Sequence, residues 1–161
     1  MSDFTAFMEA CKEGHSQTVK LLLENCRKLN ININATINFR INGLMFACKE
    51  GHKNVVKLFL EFAGKVNIDL NTKNGAGGTA FISACAWGRT DVVKLFLDYS
   101  RPINIDLNAR DYNGQTALMA ACAMGHTDVV KLFLDYSGPI KIDLNARDHN
   151  RRTAFDLASR H

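Results

Sequence analysis

Residues 114–148 read GQTALMAACAMGHTDVVKLFLDYSGPIKIDLNARD, and residues 77–111 read almost the same. From Arg89 to Asp111 and from His126 to Asp148 the two stretches differ at three places, Arg89/His126, Arg101/Gly138 and Asn104/Lys141. The offset is 37 residues, and it runs outward through the whole chain. Gly14, Gly51, Gly88 and Gly125 form one column, and Val19, Val56, Val93 and Val130 another. Leu21, Leu58, Leu95 and Leu132 form a third, and Asn34, Asn71, Asn108 and Asn145 a fourth. A fixed period of this size signals stacked copies of one small unit, each contacting only its neighbours. The chain of 161 residues is therefore expected to form a single domain, with units at about 1–37, 38–74, 75–111 and 112–148 and a partial cap at 149–161.

The quoted stretch also sets the content of each unit. Ala117 to Met124 is rich in helix formers. Thr116 stands where a side-chain oxygen caps the first turn, and Gly125 where a left-handed residue ends the helix. A second helix is expected over Asp128–Tyr136, with Val129, Val130, Leu132, Phe133 and Leu134 inward and Lys131 and Asp135 outward. Gly138-Pro139 stops it, because proline has no N–H to continue the ladder. Ile140 to Leu144 alternates like a short extended segment, and Asn145 to Asn150 reads as a turn into the next unit. Counted along the chain, this predicts nine helices with short extended fingers between units.

The linked motifs Gly114 to His126, Asp128 to Leu134 and Asp143 to Asp148 resemble the ankyrin repeat, over essentially the whole chain. The resemblance implies an all-α solenoid of stacked helix pairs with short β-hairpin-like fingers. Two departures stand out. The usual unit has about 33 residues, and the four extra ones here fall around Arg101-Pro102-Ile103-Asn104, on the edge after the second helix. The family's Thr-Pro-Leu-His is Thr116-Ala117-Leu118-Met119 here, so its histidine hydrogen bond is replaced by apolar packing.

Composition narrows the function. The net charge is +4, from 20 basic and 16 acidic residues. That is mild, and no nucleic-acid partner is expected. Neither a secretion signal behind Met1-Ser2-Asp3-Phe4 nor a run of membrane-spanning length is read, so no membrane association is expected. Five cysteines, an odd number, fit free thiols in a reducing compartment, with the cytoplasm first and the nucleus second. Cys11, Cys48, Cys85 and Cys122 repeat one per unit, about a helix diameter apart, too far for a shared metal shell or a disulfide. They fall where the family has a small buried residue. Cys26 lies outside that column, and an exposed position is expected for it. His15, His52 and His126 follow the column glycines, and the family reading is a histidine that holds the interhelical turn. Gly75 to Gly78 is glycine-rich but aligns with the turn Tyr112 to Gln115. No cofactor, metal site or catalytic constellation is expected, and the chain reads as a non-enzyme.

The resemblance instead implies a concave surface, made by finger tips and the exposed face of the first helices, on which a partner protein docks to a monomer. Register places Phe39 and Ile41, Tyr112, Asn113 and Gln115, and His149 and Arg152 on the fingers, with Arg110 and Arg147 beside them. It places Glu50, Trp87 and Met124 on the first helices. Trp87, the only tryptophan, is the leading anchor, since tryptophan, tyrosine and arginine dominate interface energetics. The finger Ile37 to Ile41 is unusually apolar; it either contacts a partner or folds inward over the first unit. The lysine column Lys20, Lys57, Lys94 and Lys131 is expected on the opposite side. The repeated asparagines also match the residue modified by asparaginyl hydroxylases, although Ala63, Ser100 and Ser137 replace the upstream leucine those enzymes favour. Their other reading is a side chain that ties the turn backbone.

Overall fold

The computed structural model describes residues 5–100 and 103–159. Among them are nine α-helices: α1 Ala6–Lys12, α2 Ser16–Glu24, α3 Gly43–Glu50, α4 Lys53–Phe62, α5 Ala80–Ala86, α6 Thr90–Asp98, α7 Ala117–Ala123, α8 Thr127–Asp135 and α9 Ala154–Ala158. The first helices of the units, α1, α3, α5, α7 and α9, pack one on the next. The second helices, α2, α4, α6 and α8, form a parallel row behind them. The result is the helical solenoid that the repeat predicts. Half of the lengthened loop, Arg101 and Pro102, lies outside the described residues.

Each first helix starts at the same kind of cap. Thr5, Asn42, Thr79, Thr116 and Thr153 each accept a hydrogen bond from the backbone N–H three residues on, at 3.2, 3.0, 3.3, 3.4 and 3.3 Å. Such a cap satisfies one of the helix's orphan donors and contributes about 1 kcal/mol. The second helix of the fourth unit runs one residue earlier than its pattern suggests. Tyr136 has already left it at φ −69° and ψ 117°, on the approach to Gly138-Pro139.

The core lies between the two rows of helices. Phe81 of α5 is tilted against Phe96 of α6, with ring centroids 5.4 Å apart, and against Phe133 of α8 at 5.9 Å. Phe7 meets Phe59 at 5.8 Å in the same way across the first junction. The column cysteines are all buried in this layer. Cys26 is buried as well, at 5% exposure, and not exposed as its irregular position suggests. The turn after α2 folds back on itself through Ile31 N–H to Cys26 O at 2.8 Å, which closes the chain over the thiol.

Burial pushes the Cys11 thiol up to about 12, and it also raises those of Cys48, Cys85 and Cys122. The thiolate is the reactive form. The four column thiols of the native protein are therefore expected to resist an aromatic disulfide reagent at pH 8, and to react in urea. Rapid titration of the column cysteines without denaturant would contradict this packing.

Units are joined by side chains that reach one period forward or back. Asn34 donates to Asn67 O at 2.6 Å and accepts from Asp69 N–H at 2.9 Å. Asn71 does the same to Asn104 and Asp106, at 2.7 and 2.9 Å, and Asn108 to Lys141 and Asp143, at 2.9 and 2.9 Å. The asparagine column thus ties the next unit's loop, where the sequence alone suggested its own turn. Behind the first helices, His52 meets Lys12 O at 2.7 Å, Arg89 donates to Lys49 O at 2.8 Å, and His126 meets Ala86 O at 2.9 Å. These residues staple one unit to the previous helix end. Gly88 shows why a glycine precedes the staple. Its φ is +62°, and a Cβ there would stand 2.6 Å from the His126 ring.

Candidate partner-binding surface

Three of the four fingers are turns closed by an acidic or amide side chain. Asp111 Oδ1 accepts from Asn113 and Gln115 N–H, both at 2.8 Å. Asp111 N–H in turn donates to Gln115 O at 3.0 Å. Asn74 and Asp148 repeat the motif. This local bonding competes well with helix or sheet, so the fingers are hairpin-like without paired strands. The one β-bridge among the described residues joins Ile37 to Ile41.

Adjacent fingers bond directly through the backbone. Gly75 N–H donates to Phe39 O at 2.6 Å, Tyr112 to Ala76 O at 3.0 Å, and His149 to Asn113 O at 2.9 Å. The Tyr112 ring therefore lies against Gly77, and His149 against Gly114. Tyr112 keeps 62% of its surface exposed, held flat on a neighbour that has no side chain. Asn113 and His149 are exposed, and Gln115 is half-buried.

The unusual second finger resolves into two halves. Ile37 and Ile41 are half-buried, and Ile41 packs against the core. Phe39 points outward at 80% exposure. Phe39 and Arg40 adopt φ of 60° and 56°, the left-handed region that Gly77 and Gly114 occupy elsewhere. Arg151 does the same at 62°. Non-glycine residues there store about 1–2 kcal/mol of strain.

At the other edge of the first helices stand the residues that end them. Trp87 is the C-cap of α5 and Met124 that of α7. Their side chains project past the last buried position, at 51% and 61% exposure. Lys49 Nζ of the preceding unit lies 4.9 Å from the Trp87 ring centroid, a cation–π contact of about 0.5–1 kcal/mol at an exposed site. Trp87 is thus both exposed and braced by its neighbour. Glu50 is exposed beside Lys49. A helix of this length is about 10 Å long, and it separates the finger at its start from the cap residue at its end.

Arg110 and Arg147 are exposed and continue a ladder that register alone did not single out. Lys73 Nζ donates to Arg110 O at 2.8 Å, Arg110 Nη1 to Arg147 O at 2.6 Å, and Arg147 Nη1 to Arg151 O at 2.8 Å. Lys73 was findable in sequence, since it stands one period before Arg110. Lys49 needed the structure, because nothing in its own unit points to Trp87. Arg152 is half-buried, with Nε and Nη2 on Asp148 Oδ2 at 2.8 and 2.7 Å.

Burial pushes the Asp148 carboxyl up, but the Arg152 guanidinium and the N–H groups of Arg152 and Asn150 more than offset it and hold it below its usual value. A carboxyl lowered by folding contributes stability above its unfolded value, about 3.9 for Asp, and loses it as pH falls through the folded value. Asp148→Asn keeps the acceptor oxygen but loses the ion pair. It is expected to lower the urea midpoint at pH 7, with a gap from wild type that closes below about pH 4. A gap that stays constant with pH would refute the role of the charge.

The lysine column is exposed along the second helices, where Lys20 and Lys57 pair with Glu24 and Glu61 at 3.9 and 3.6 Å. Among the described residues no cluster of three or more His, Cys, Asp or Glu side chains is placed to hold a metal ion, and no helix is long and apolar enough to cross a membrane. A family model for ankyrin repeats (3 copies) matches residues 7–111 and 103–161. No curated protein matches the chain.

Proposed function

Since the chain belongs to the ankyrin-repeat family, whose members are generally protein–protein interaction modules, we propose that it is a non-enzymatic module that binds a partner protein on the strip between its fingers and first-helix ends. The observation that carries this is the position of Trp87, Tyr112 and Met124. Their large apolar groups are half or more exposed, on a frame otherwise repeated almost residue for residue. Exposed apolar groups collected in one region mark contact sites. The mechanism is rigid display: backbone bonds already join the fingers, so little entropy is lost when a partner docks. Phe39, Asn113, His149, Arg110, Arg147 and Glu50 border the strip, while Ile41, Gln115 and Arg152 support it from within. Five buried thiols suit a reducing compartment such as the cytoplasm.

The test is capture from an extract with three baits: the intact protein, a Trp87→Ala/Tyr112→Ala/Met124→Ala variant, and a Lys57→Ala/Lys131→Ala variant of the outer helices, each with folding checked by circular dichroism. A partner kept by the first and third baits and lost by the second supports the strip. Equal retention by all three removes it. A second reading, modification by an asparaginyl hydroxylase, is supported at Asn145 alone, which is exposed. The amides of Asn71 and Asn108 are engaged at both ends. Intact mass after incubation with such an enzyme separates this reading from the first.

A further inference from the structure

The charge of the chain is not spread evenly. The four finger segments, 36–41, 73–78, 110–115 and 147–152, contain the cations Arg40, Lys73, Arg110, Arg147, Arg151 and Arg152 and the carboxylates Asp111 and Asp148. Six cations against two carboxylates leave an excess of +4, the net charge of the entire protein. The remainder of the chain is neutral. On the second helices Lys20, Lys53 and Lys57 pair with acids, whereas in the fingers Asp111 faces into its own turn and Asp148 pairs with Arg152 alone. Arg40, Lys73, Arg110, Arg147 and Arg151 are all exposed. Hydrogen bonds to backbone carbonyls position Lys73, Arg110 and Arg147 without neutralising them.

The row also has a spacing. Each finger contributes two passes of chain, and neighbouring passes in hydrogen-bonding contact stand about 4.8 Å apart. Successive members of the Lys73–Arg110–Arg147 ladder therefore recur at about 10 Å. A polyproline-II segment has three residues per turn and rises about 3.1 Å per residue. It brings every third side chain back to one face after about 9.3 Å. A β-strand fails this match, because its residues i and i+3 face opposite ways.

We propose that the ligand of the finger edge is an acidic protein segment in polyproline-II conformation, with a carboxylate at every third residue facing Lys73, Arg110 and Arg147. This deepens the reading of the strip as a protein-binding surface and rests on it. The cations fix register along the stack, and the apolar caps Trp87 and Met124 take side chains from the segment's other faces. Arg151 extends the row at one end. Attraction between exposed charges is screened over about 10 Å at 0.1 M salt, so the affinity is salt-dependent.

The test uses the full chain and three labelled peptides of equal length: repeated Asp-Pro-Pro, the same composition with the aspartates clustered, and repeated Asn-Pro-Pro. Binding is read by anisotropy of the label and by the fluorescence of Trp87, the sole tryptophan. The periodic acidic peptide is expected to bind about tenfold tighter than the clustered one, to weaken with salt, and to leave the Asn peptide unbound. Arg110→Gln is expected to remove most of that advantage. If this variant loses its fold, the comparison of the three peptides on the native chain still decides. Equal binding of the periodic and clustered peptides, or of the Asn peptide, overturns the proposal. Tighter binding of a single-stranded oligothymidylate overturns it in favour of a nucleic acid. If the peptides fail while a captured protein still depends on Trp87, Tyr112 and Met124, the acidic ligand falls and the binding strip stands.

Discussion

Phe81→Ala is expected to lower the unfolding free energy by about 3–5 kcal/mol, the cost of truncating a buried phenylalanine. Phe81 is 2% exposed and touches one ring in its own unit and one in the next. Its removal leaves a cavity at the junction of the third and fourth units, not inside one of them. The stability of a stack is a sum of unit and neighbour terms, so the loss falls on the coupling between halves. Urea unfolding followed by circular dichroism should change from one transition to two. The control lies in the same repeat column: Phe155, two periods on, is 80% exposed, with no second helix packed on α9 among the described residues. Phe155→Ala should change stability by less than about 0.5 kcal/mol. A similar loss from both substitutions would show that burial along the stack is not what the core measures.

The second large effect is expected from a single methyl group at a finger. Gly77 has φ +81°, and a Cβ there would stand 2.6 Å from both the backbone nitrogen and the ring of Tyr112. Gly77→Ala combines left-handed strain of about 1–2 kcal/mol with a clash against backbone that has no rotamer to yield. A total cost of about 2–4 kcal/mol follows. Tyr112 must also lift from the adjacent finger and break its 3.0 Å bond to Ala76 O. The substitution therefore reports on the proposed binding strip as well as on stability. Partner capture should weaken even under conditions where the variant remains folded. Gly125 provides the contrast: it has a similar φ of +71°, but no atom lies within 4 Å of the added Cβ. Gly125→Ala is expected to cost the strain alone. Equal losses at the two sites would mean that the finger contact carries no weight.

Much of this fold is legible in one unit read against its copies. The period places the helices, because residues one period apart meet the same surroundings and must solve the same packing problem. The first-helix caps and the buried cysteine column follow from local chemistry repeated along the chain, and the stop after α8 from the Gly138-Pro139 pair of its own unit. The boundary of α8 and the burial of Cys26 were not legible, since both depend on how one loop closes over its neighbour.

The proposed binding strip divides along the same line. Sequence identified Trp87, Tyr112 and Met124 as departures from an otherwise repeated frame, and departures are visible without coordinates. It did not show that Phe39 and Ile41, two residues apart in one finger, face opposite ways. That depends on left-handed backbone at Phe39 and Arg40, where no glycine announces it. Nor did it show Lys49 over Trp87, or the Lys73–Arg110–Arg147 ladder, because each contact crosses a junction between units.

By itself, then, the amino-acid sequence determined the unit: its length, its helices and their caps. Those features arise from interactions within a few residues, or from a hydrophobic pattern that any neighbouring copy satisfies. The tertiary structure alone decided what lies between units, namely the asparagine ties, the histidine and arginine staples and the alignment of cations along the fingers. Each of these bonds joins residues 33 to 40 positions apart. A partner at that distance in sequence is fixed only once the stack has brought the two chain segments together.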